Sequence, residues 1–231
     1  KDVPALQVLP PNNSAFGGRL AAVSLSEAEK GGVPRTVQAN LLIIGGQDIS
    51  ARLALGASES AMGIALNKLD FGLVLANSTE DSRRWMAVEG RAQGLSLLGT
   101  EAFGISLSGS DLALDLNLAL GRTADGALNR STVNWGAAPI AFAAPAGGTA
   151  ITLDLRGNLL RVAGTMLVQV GDSLRVSGSA ALELSDVQAL VGGRAISTRA
   201  LLFGAQNIDA TVRGIAVKNA SLALALLRPS E

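Results

Sequence analysis

Leucine occupies every second position in the run Leu112-Ala113-Leu114-Asp115-Leu116-Asn117-Leu118-Ala119-Leu120. In a β-strand these leucines share one face, and the Ala, Asp and Asn residues share the other. An α-helix would scatter the same leucines around its axis. Shorter alternating runs recur at residues 63–66, 71–75, 95–97, 105–107, 151–155, 174–176 and 182–184. The pattern therefore predicts an all-β protein.

The hydrophobic residues are unusual in kind rather than in number. They make up 48% of the 231 residues, but aromatic residues are only 3% and tyrosine is absent. Small aliphatic side chains fill narrow spaces between layers, so the composition favours a thin, regular, elongated body over one with a deep pocket. The length is sufficient for one large β domain or two small ones.

A few segments interrupt the strand pattern. Residues 26–30 and 185–190 begin with serine and an acidic first turn, so each is predicted to be a short helix or a loop. Residues 137–148 are rich in Ala, Pro and Gly and are predicted to form a long surface loop, because proline disfavours a central strand. Residues 77–84 and 121–131 are predicted to be polar loops.

The chain also resembles itself. Residues 21–51 align without gaps on residues 180–210, a shift of 159 residues that matches Arg35 with Arg194 and Gln47 with Gln206. After an insertion, residues 63–66 and 73–75 match residues 214–217 and 224–226. We therefore divide the chain into residues 1–20 (an N-terminal segment or the end of a preceding unit), residues 21–179 (one repeat unit) and residues 180–231 (the start of the next unit). The units are expected to pack as one continuous body.

A shorter sequence repeat consists of an apolar residue, a spacer, a glycine and a polar residue. Residues 160–165 resemble residues 174–179, and similar elements lie at residues 16–19, 88–91 and 107–110. Glycine inside a strand marks a bulge, a bend or a close backbone approach. We expect an elongated, repetitive β-solenoid-like stack. The alternative is an extended antiparallel stack or sandwich, which the hairpin-like Val170-Gly171-Asp172-Ser173 favours.

The runs at residues 63–78, 84–87, 97–100, 107–116 and 151–155 together resemble a family. They are similar to a long tandem repeat of very large bacterial adhesin-like or haemagglutinin-like surface proteins. The resemblance covers most of residues 39–228 and implies a repetitive module at the cell surface or outside the cell. It assigns no functional residue.

Composition excludes several chemistries. The sequence contains no His and no Cys, so Ser–His–Asp and Cys–His catalysis, disulfides and thiolate metal sites are impossible. Lysine and arginine number 19 and the acidic residues also number 19, with no basic stripe, which argues against nucleic acid as a partner. We predict that the protein is not an enzyme and has no catalytic, cofactor-binding or metal-binding residue.

Calcium remains the best alternative to a cofactor-free protein, because hard carboxylate oxygens suit it. Seven aspartates lie near predicted turns, namely Asp48, Asp70, Asp81, Asp111, Asp125, Asp172 and Asp186. The carboxylates that alternate with leucine, Asp111, Asp115, Asp154 and Glu183, are expected to point to solvent. They are not expected to act as a catalytic pair.

The few large rings are predicted to pack rather than bind. Trp85 and Trp135 lie beside loops and are expected to fill gaps at the end of the body, although an exposed indole would stack on a sugar or anchor a partner. Phe71 and Phe103 take equivalent places in two similar strands and are expected to lie in the core.

These observations predict a non-catalytic structural module of a large bacterial surface or secreted protein. It would act as an adhesin stalk or as a building block of an extracellular filament, with neighbouring repeat units or identical subunits as partners. Two alternatives remain open. One is a surface module that binds a host or cell-surface glycan or protein, and the other is a β-groove that conveys lipid.

Overall fold

The structure, a computed structural model, describes residues 5–8, 14–26, 35–54, 62–100, 103–142 and 150–229. It is all-β, as predicted, and every strand pairing in these ranges is antiparallel. The β-solenoid geometry is not seen in these pairings. The strands are β1 (Ala5–Val8), β2 (Ser14–Ser26), β3 (Arg35–Ala54), β4 (Gly63–Ser78), β5 (Ser82–Leu98), β6 (Ile105–Arg122), β7 (Thr132–Val133), β8 (Ile140–Phe142), β9 (Ile151–Leu153), β10 (Leu159–Val170), β11 (Leu174–Val191), β12 (Arg194–Val212) and β13 (Ile215–Pro229).

One open sheet dominates the molecule. Its order is β13-β12-β11-β10-β6-β5-β4-β3-β2-β7, and β1 also pairs with β3. Strands β2 to β6 form a meander, and strands β10 to β13 form a second meander that continues the first. The join is direct, because β10 pairs with β6. The segment that connects the two meanders carries β7, which pairs with β2 at the edge of this sheet, and β8 and β9, which pair with each other outside it.

Alternation gives the sheet two distinct faces. One face, which we call the covered face, carries small and polar side chains. It also carries Val37, Ala39 and Leu41, which are 4% exposed or less. On the opposite face, which we call the open face, one aliphatic side chain follows another across the strands. Cross-strand neighbours there include Ile44, Leu73, Val88, Leu116, Leu160, Leu184, Leu201 and Leu226.

A line of β-bulges crosses the sheet near the middle of its long strands. Asp48, Lys68, Asp111, Asn207 and Asn219 have φ between 49° and 54°. Asp and Asn tolerate this left-handed conformation better than most residues. Each bulge adds one residue to its strand, which by itself would move the following side chains to the other face.

The bulges instead preserve the apolar face. In β6 the leucines that follow Asp111 occupy even-numbered positions, beginning with Leu112. The apolar residues that precede Asp111, Leu107 and Ile105, occupy odd-numbered positions. Both sets pair with even positions of β10, because the register shifts by one residue at the bulge. The shift of the apolar residues from odd-numbered to even-numbered positions in the sequence therefore marks the bulge.

The connecting segment forms a cap over one end of the covered face. We use this name for residues 123–142 and 150–158. Strands β8 and β9 pair with each other, and Ile140, Phe142, Ile151 and Leu153 are buried against the sheet. They complete a core that also contains Val37, Val74 and Trp85. The cap thus gives the sheet a second layer above β2 to β6, and Leu159 at the start of β10 packs against the same core.

Asn117 of β6 fixes the cap to the sheet. Its side-chain nitrogen donates to the carbonyl oxygens of Val133 (3.0 Å) and Gly157 (2.7 Å), and its side-chain oxygen accepts from the indole of Trp135 (3.2 Å). The indole of Trp85 donates to the carbonyl of Ser131 at 2.7 Å. A buried amide with this many partners offsets its own desolvation and orients both ends of the cap.

Two glycines admit the ring of Phe142. Gly45 of β3 and Gly72 of β4 are directly paired on the covered face. A Cβ atom added at Gly45 would lie 2.6 Å from the ring, and one added at Gly72 would also collide with it. The missing side chains therefore form a depression that determines where the cap packs.

Some local predictions were wrong. Residues 185–190 belong to strand β11 and not to a helix or loop, and residues 140–142 form β8 and supply core side chains instead of a surface loop. Residues 77–84 are mostly strand, since only the short turn at residues 79–81 separates β4 from β5. The rest of the predicted loop at 143–148, and residues 27–30 of the other predicted helix or loop, lie outside the described residues.

Within the described ranges, no helix has the length and apolar character needed to cross a membrane.

Candidate interaction surfaces

The seven aspartates considered for calcium lie apart. Asp48 and Asp111 occupy bulges, Asp70 accepts a hydrogen bond from the backbone of Asp48, and Asp125 accepts one from Thr123. Asp81 pairs with Arg83 at 2.6 Å, Asp186 lies 3.6 Å from Arg199, and Asp172 is exposed in a turn. In the part of the chain that the structure describes, no three acidic side chains group as a metal site would require.

The prediction for Asp115 was wrong, because the residue is only 9% exposed and its side chain does not point to solvent. Its side chain lies on the covered face, where it accepts hydrogen bonds from Arg161 Nε (2.8 Å) and from a terminal guanidinium nitrogen of Arg161 (2.6 Å). Glu89 and Asp115 are paired neighbours, as are Arg161 and Glu183. We call Glu89, Asp115, Arg161 and Glu183 the charged row.

The charged row has a deficit of positive charge. Burial raises the pKa of Glu89, and the neighbouring Asp115 and Asp154 carboxylates raise it further against the opposing effect of Arg91 and Arg161. The hydrogen bond to Asp115 raises the pKa of the Arg161 guanidinium. The row thus holds three carboxylates and one guanidinium, with the Asp115–Arg161 ion pair at its centre. It contains no nucleophile beside a base.

The aromatic side chains divide between the core and the surface. Trp85 is 1% exposed and lies under the cap, and Trp135 is 2% exposed within the cap, so both fill gaps in the core as predicted. Phe71 is half-buried, but the prediction that Phe103 lies in the core was wrong, since it is 68% exposed. Phe103 lies in the turn between β5 and β6, where its amide donates to Thr100.

The open face is an apolar surface that runs across the sheet from strand to strand. Leu114, Val162 and Leu182 in the middle of the sheet are 37%, 41% and 40% exposed. Soluble proteins rarely expose contiguous apolar patches larger than a few hundred Å², and larger ones mark binding surfaces. The signal was present in the sequence as the alternation of aliphatic residues in β6 and in parts of other strands, but alternation alone does not show that one face lacks a second layer.

Two hairpins of the sheet have the same internal register. On β3 and β4, Leu42 pairs with Leu75 and Ile49 with Leu69; on β12 and β13, Leu201 pairs with Leu226 and Ile208 with Ala220. The offsets are 159 residues for β3 and β12, and 151 for β4 and β13. All twelve pairs described for β12 with β13 have a counterpart in β3 with β4.

The bulges of the two hairpins coincide as well. Asp48 (φ 53°) corresponds to Asn207 (φ 54°), and Lys68 (φ 49°) corresponds to Asn219 (φ 53°). The correspondence does not extend to the preceding strands. Ala21 pairs with Ala39, whereas the aligned Ala180 pairs with Ala205, so β2 and β11 lie differently against their partners. The division of the chain into repeat units stays a prediction.

The outer edge of β13 has no strand beside it among the described residues, because β13 pairs only with β12. The remaining surface of β13 is exposed along almost its whole length. An exposed edge carries unpaired backbone N–H and C=O groups and is a template for a further strand.

No family model matches the chain, and neither a curated protein nor a solved structure matches it.

Proposed function

We propose that the chain is a non-catalytic structural repeat module of a large bacterial surface or secreted protein, and that it forms part of an adhesin stalk or an extracellular filament. The observation that carries this proposal is the equivalence of the β3–β4 and β12–β13 hairpins in register and in bulge position. In a repeat array each unit presents to the next the surface that it receives from the one before.

The proposed array is elongated, because its units follow one another across the sheet. Six strand steps separate β3 from β12 in the sheet order. With neighbouring strands about 4.8 Å apart, one unit advances the array by about 29 Å before twist is considered. Such an extended antiparallel stack would place a terminal domain away from the surface that bears it. Neighbouring units or identical subunits are its expected partners.

A lengthened chain tests this proposal. Ala51 and Ala210 are equivalent positions, so a chain of residues 1–210 followed directly by residues 52–231 adds one unit at a matched junction. We expect its maximum dimension in small-angle X-ray scattering to exceed that of the original chain, by up to about 29 Å. The matched control joins the same segments through a flexible Gly/Ser linker at residue 210. A lengthened chain that scatters like this control, as two bodies moving independently, contradicts the proposal.

A second candidate function is the binding of lipid or another acyl chain along the open face. The uncovered aliphatic rows of β6, β10 and β11 favour it, since Leu114, Val162 and Leu182 offer apolar contacts without a second protein layer. A fatty-acid probe with an environment-sensitive fluorophore is expected to bind the chain. Leu182→Asp is expected to weaken binding at least tenfold, because it buries a charge beneath the acyl chain.

Leu128→Asp provides the control for this second candidate, since Leu128 is 63% exposed in the cap and lies outside the open face. Equal affinity of the two variants, or failure of the original chain to bind the probe, would exclude acyl binding at this face.

A further inference from the structure

The two equivalent strands β4 and β13 differ in what lies beside them. Strand β4 is paired on one edge with β3 and on the other with β5. Its apolar side chains Leu66, Leu73 and Leu75 are half-buried. Their counterparts Val217, Leu224 and Leu226 in β13 are 51%, 53% and 54% exposed. The equivalent positions are therefore less exposed to water in β4, which has β5 beside it, than in β13.

We propose that the outer edge of β13 binds an extended antiparallel strand with the side-chain pattern of β5, in the register that β5 takes on β4. This inference deepens the proposed function and rests on its assumption that β4 and β13 are equivalent strands of successive units. In this register Leu224 stands opposite the position of Val88, because Leu73 pairs with Val88 in the sheet. By the same rule, Leu226 stands opposite the position of Met86.

The strand that binds must have a particular chemistry. On the open face, β5 presents Met86 and Val88 and then the small residues Gly90 and Ala92, which extend the apolar rows of β4. A partner of β13 with this pattern would cover Leu222, Leu224 and Leu226. Its backbone would pair with the N–H and C=O groups of the edge that no described strand engages, as in other cases of strand addition.

The edge is also selective. Lys218 and the bulge at Asn219 interrupt β13, and charged residues and bulges in edge strands oppose indiscriminate pairing. Strand β5 spans the equivalent bulge at Lys68, pairing Gly94 with Asn67 and Ala92 with Leu69. A strand with the side-chain pattern of β5 is thus compatible with the bulge at Asn219, which opposes pairing with an unrelated strand.

The probe is a synthetic peptide of residues 82–98, titrated against the full chain and followed by fluorescence anisotropy. We expect saturable binding, and at least tenfold weaker binding of a peptide with the same composition in scrambled order. Backbone N–H groups of a strand point alternately to its two sides. Of two peptides N-methylated at alternate residues, one at even and one at odd positions, only one is therefore expected to lose binding.

The register is measured by electron paramagnetic resonance. The chain contains no cysteine, so Leu224→Cys introduces a single site for a spin label on an exposed side chain. A label at position 88 of the peptide is expected within about 15 Å of it. A label at position 97, nine residues away, is expected at about 30 Å. Unchanged far-UV circular dichroism of the labelled chain shows that the substitution leaves the fold intact.

The outcomes separate this inference from the proposed function. No binding, equal binding of both N-methylated peptides, or a short distance to position 97 instead of 88 overturns the inference. If the lengthened chain scatters as one longer body while the peptide does not bind, only the inference is wrong. If the peptide binds in register but the lengthened chain forms two independent bodies, the proposed function is wrong.

Discussion

The two halves of the sheet are built from the same kind of strand but differ in their second layer. Over β2 to β6 the cap excludes water, so Val37, Trp85 and Leu153 are 1% exposed or less. In β10 to β13, the described side chains that are buried are only Ser185, Thr198 and Ala200. We call these parts the capped half and the uncapped half.

The comparison shows that regular strands do not by themselves make a core. Both halves satisfy their backbone through long antiparallel ladders. Apolar burial is the main favourable term in folding, and it scales with the area removed from water. The capped half therefore holds most of the stabilising burial, and the uncapped half depends on it or on a further partner.

The largest expected effect comes from one substitution made in both halves. Leu153→Ala removes a fully buried side chain under the cap and is expected to lower the free energy of unfolding by about 2–5 kcal/mol. Leu224→Ala makes the same change at a side chain that is 53% exposed and is expected to cost less than about 1 kcal/mol. Urea unfolding followed by circular dichroism measures both. Equal losses would show that the halves do not differ in packing.

Removing the polar attachment of the cap is expected to have the next largest effect. Asn117→Ala leaves the carbonyls of Val133 and Gly157 and the indole of Trp135 without this partner. The expected loss in the free energy of unfolding is about 1–3 kcal/mol, the usual cost of leaving a buried polar group unpaired. Asn77→Ala, at an exposed position near the end of β4, serves as the control and is expected to change thermal stability little. Faster amide hydrogen exchange in the cap should accompany the loss in Asn117→Ala alone.

The glycine depression provides a sharper test of how the cap is positioned. Gly72→Ala is expected to displace the Phe142 ring and to cost about 1–3 kcal/mol by overpacking. Gly204→Ala is the matched control, because a Cβ added there meets nothing within 4 Å. It is expected to be neutral or slightly stabilising. Adding Phe142→Leu to Gly72→Ala should recover part of the loss, and the absence of recovery would contradict the proposed contact.

The smallest expected effect is a change in pH dependence at the charged row. Burial, together with the Asp115 carboxylate, raises the pKa of Glu89, so the folded chain binds this proton more tightly than the unfolded chain does. Ionised Glu89 therefore lowers stability as the pH rises above the ordinary pKa of a glutamate and through its raised value. Glu89→Gln is expected to raise the free energy of unfolding at pH 7 by less than about 1 kcal/mol.

This gain should vanish near pH 3, where Glu89 is protonated in both states. Asp172→Asn, which makes the same kind of change in an exposed turn, is the control for the substitution itself. A gain from Glu89→Gln that is the same at pH 3 and pH 7 would show that the carboxylate charge is not its cause.

Period-two alternation in the sequence predicted the strands well, because the side chains of a strand are set by local geometry. The cap was not predicted, since Pro139 and the alanines around Ile140 suggest a loop unless their contact with Gly45 and Gly72 is known. The burial of Asp115 was missed for a similar reason, because Arg161 lies 46 residues away. Phe103 was misplaced because its similarity to Phe71 ignored the turn at Thr100.

Both tryptophans lie on the capped side of the molecule, and tyrosine is absent from the sequence. Intrinsic fluorescence consequently does not report on the unfolding of strands β10 to β13. If that part detaches first on heating, the ellipticity near 218 nm, roughly the usual β-sheet minimum, will decay while the indole emission remains unchanged. Fluorescence alone would then indicate a single cooperative transition, whereas fluorescence and circular dichroism together would show two separate transitions.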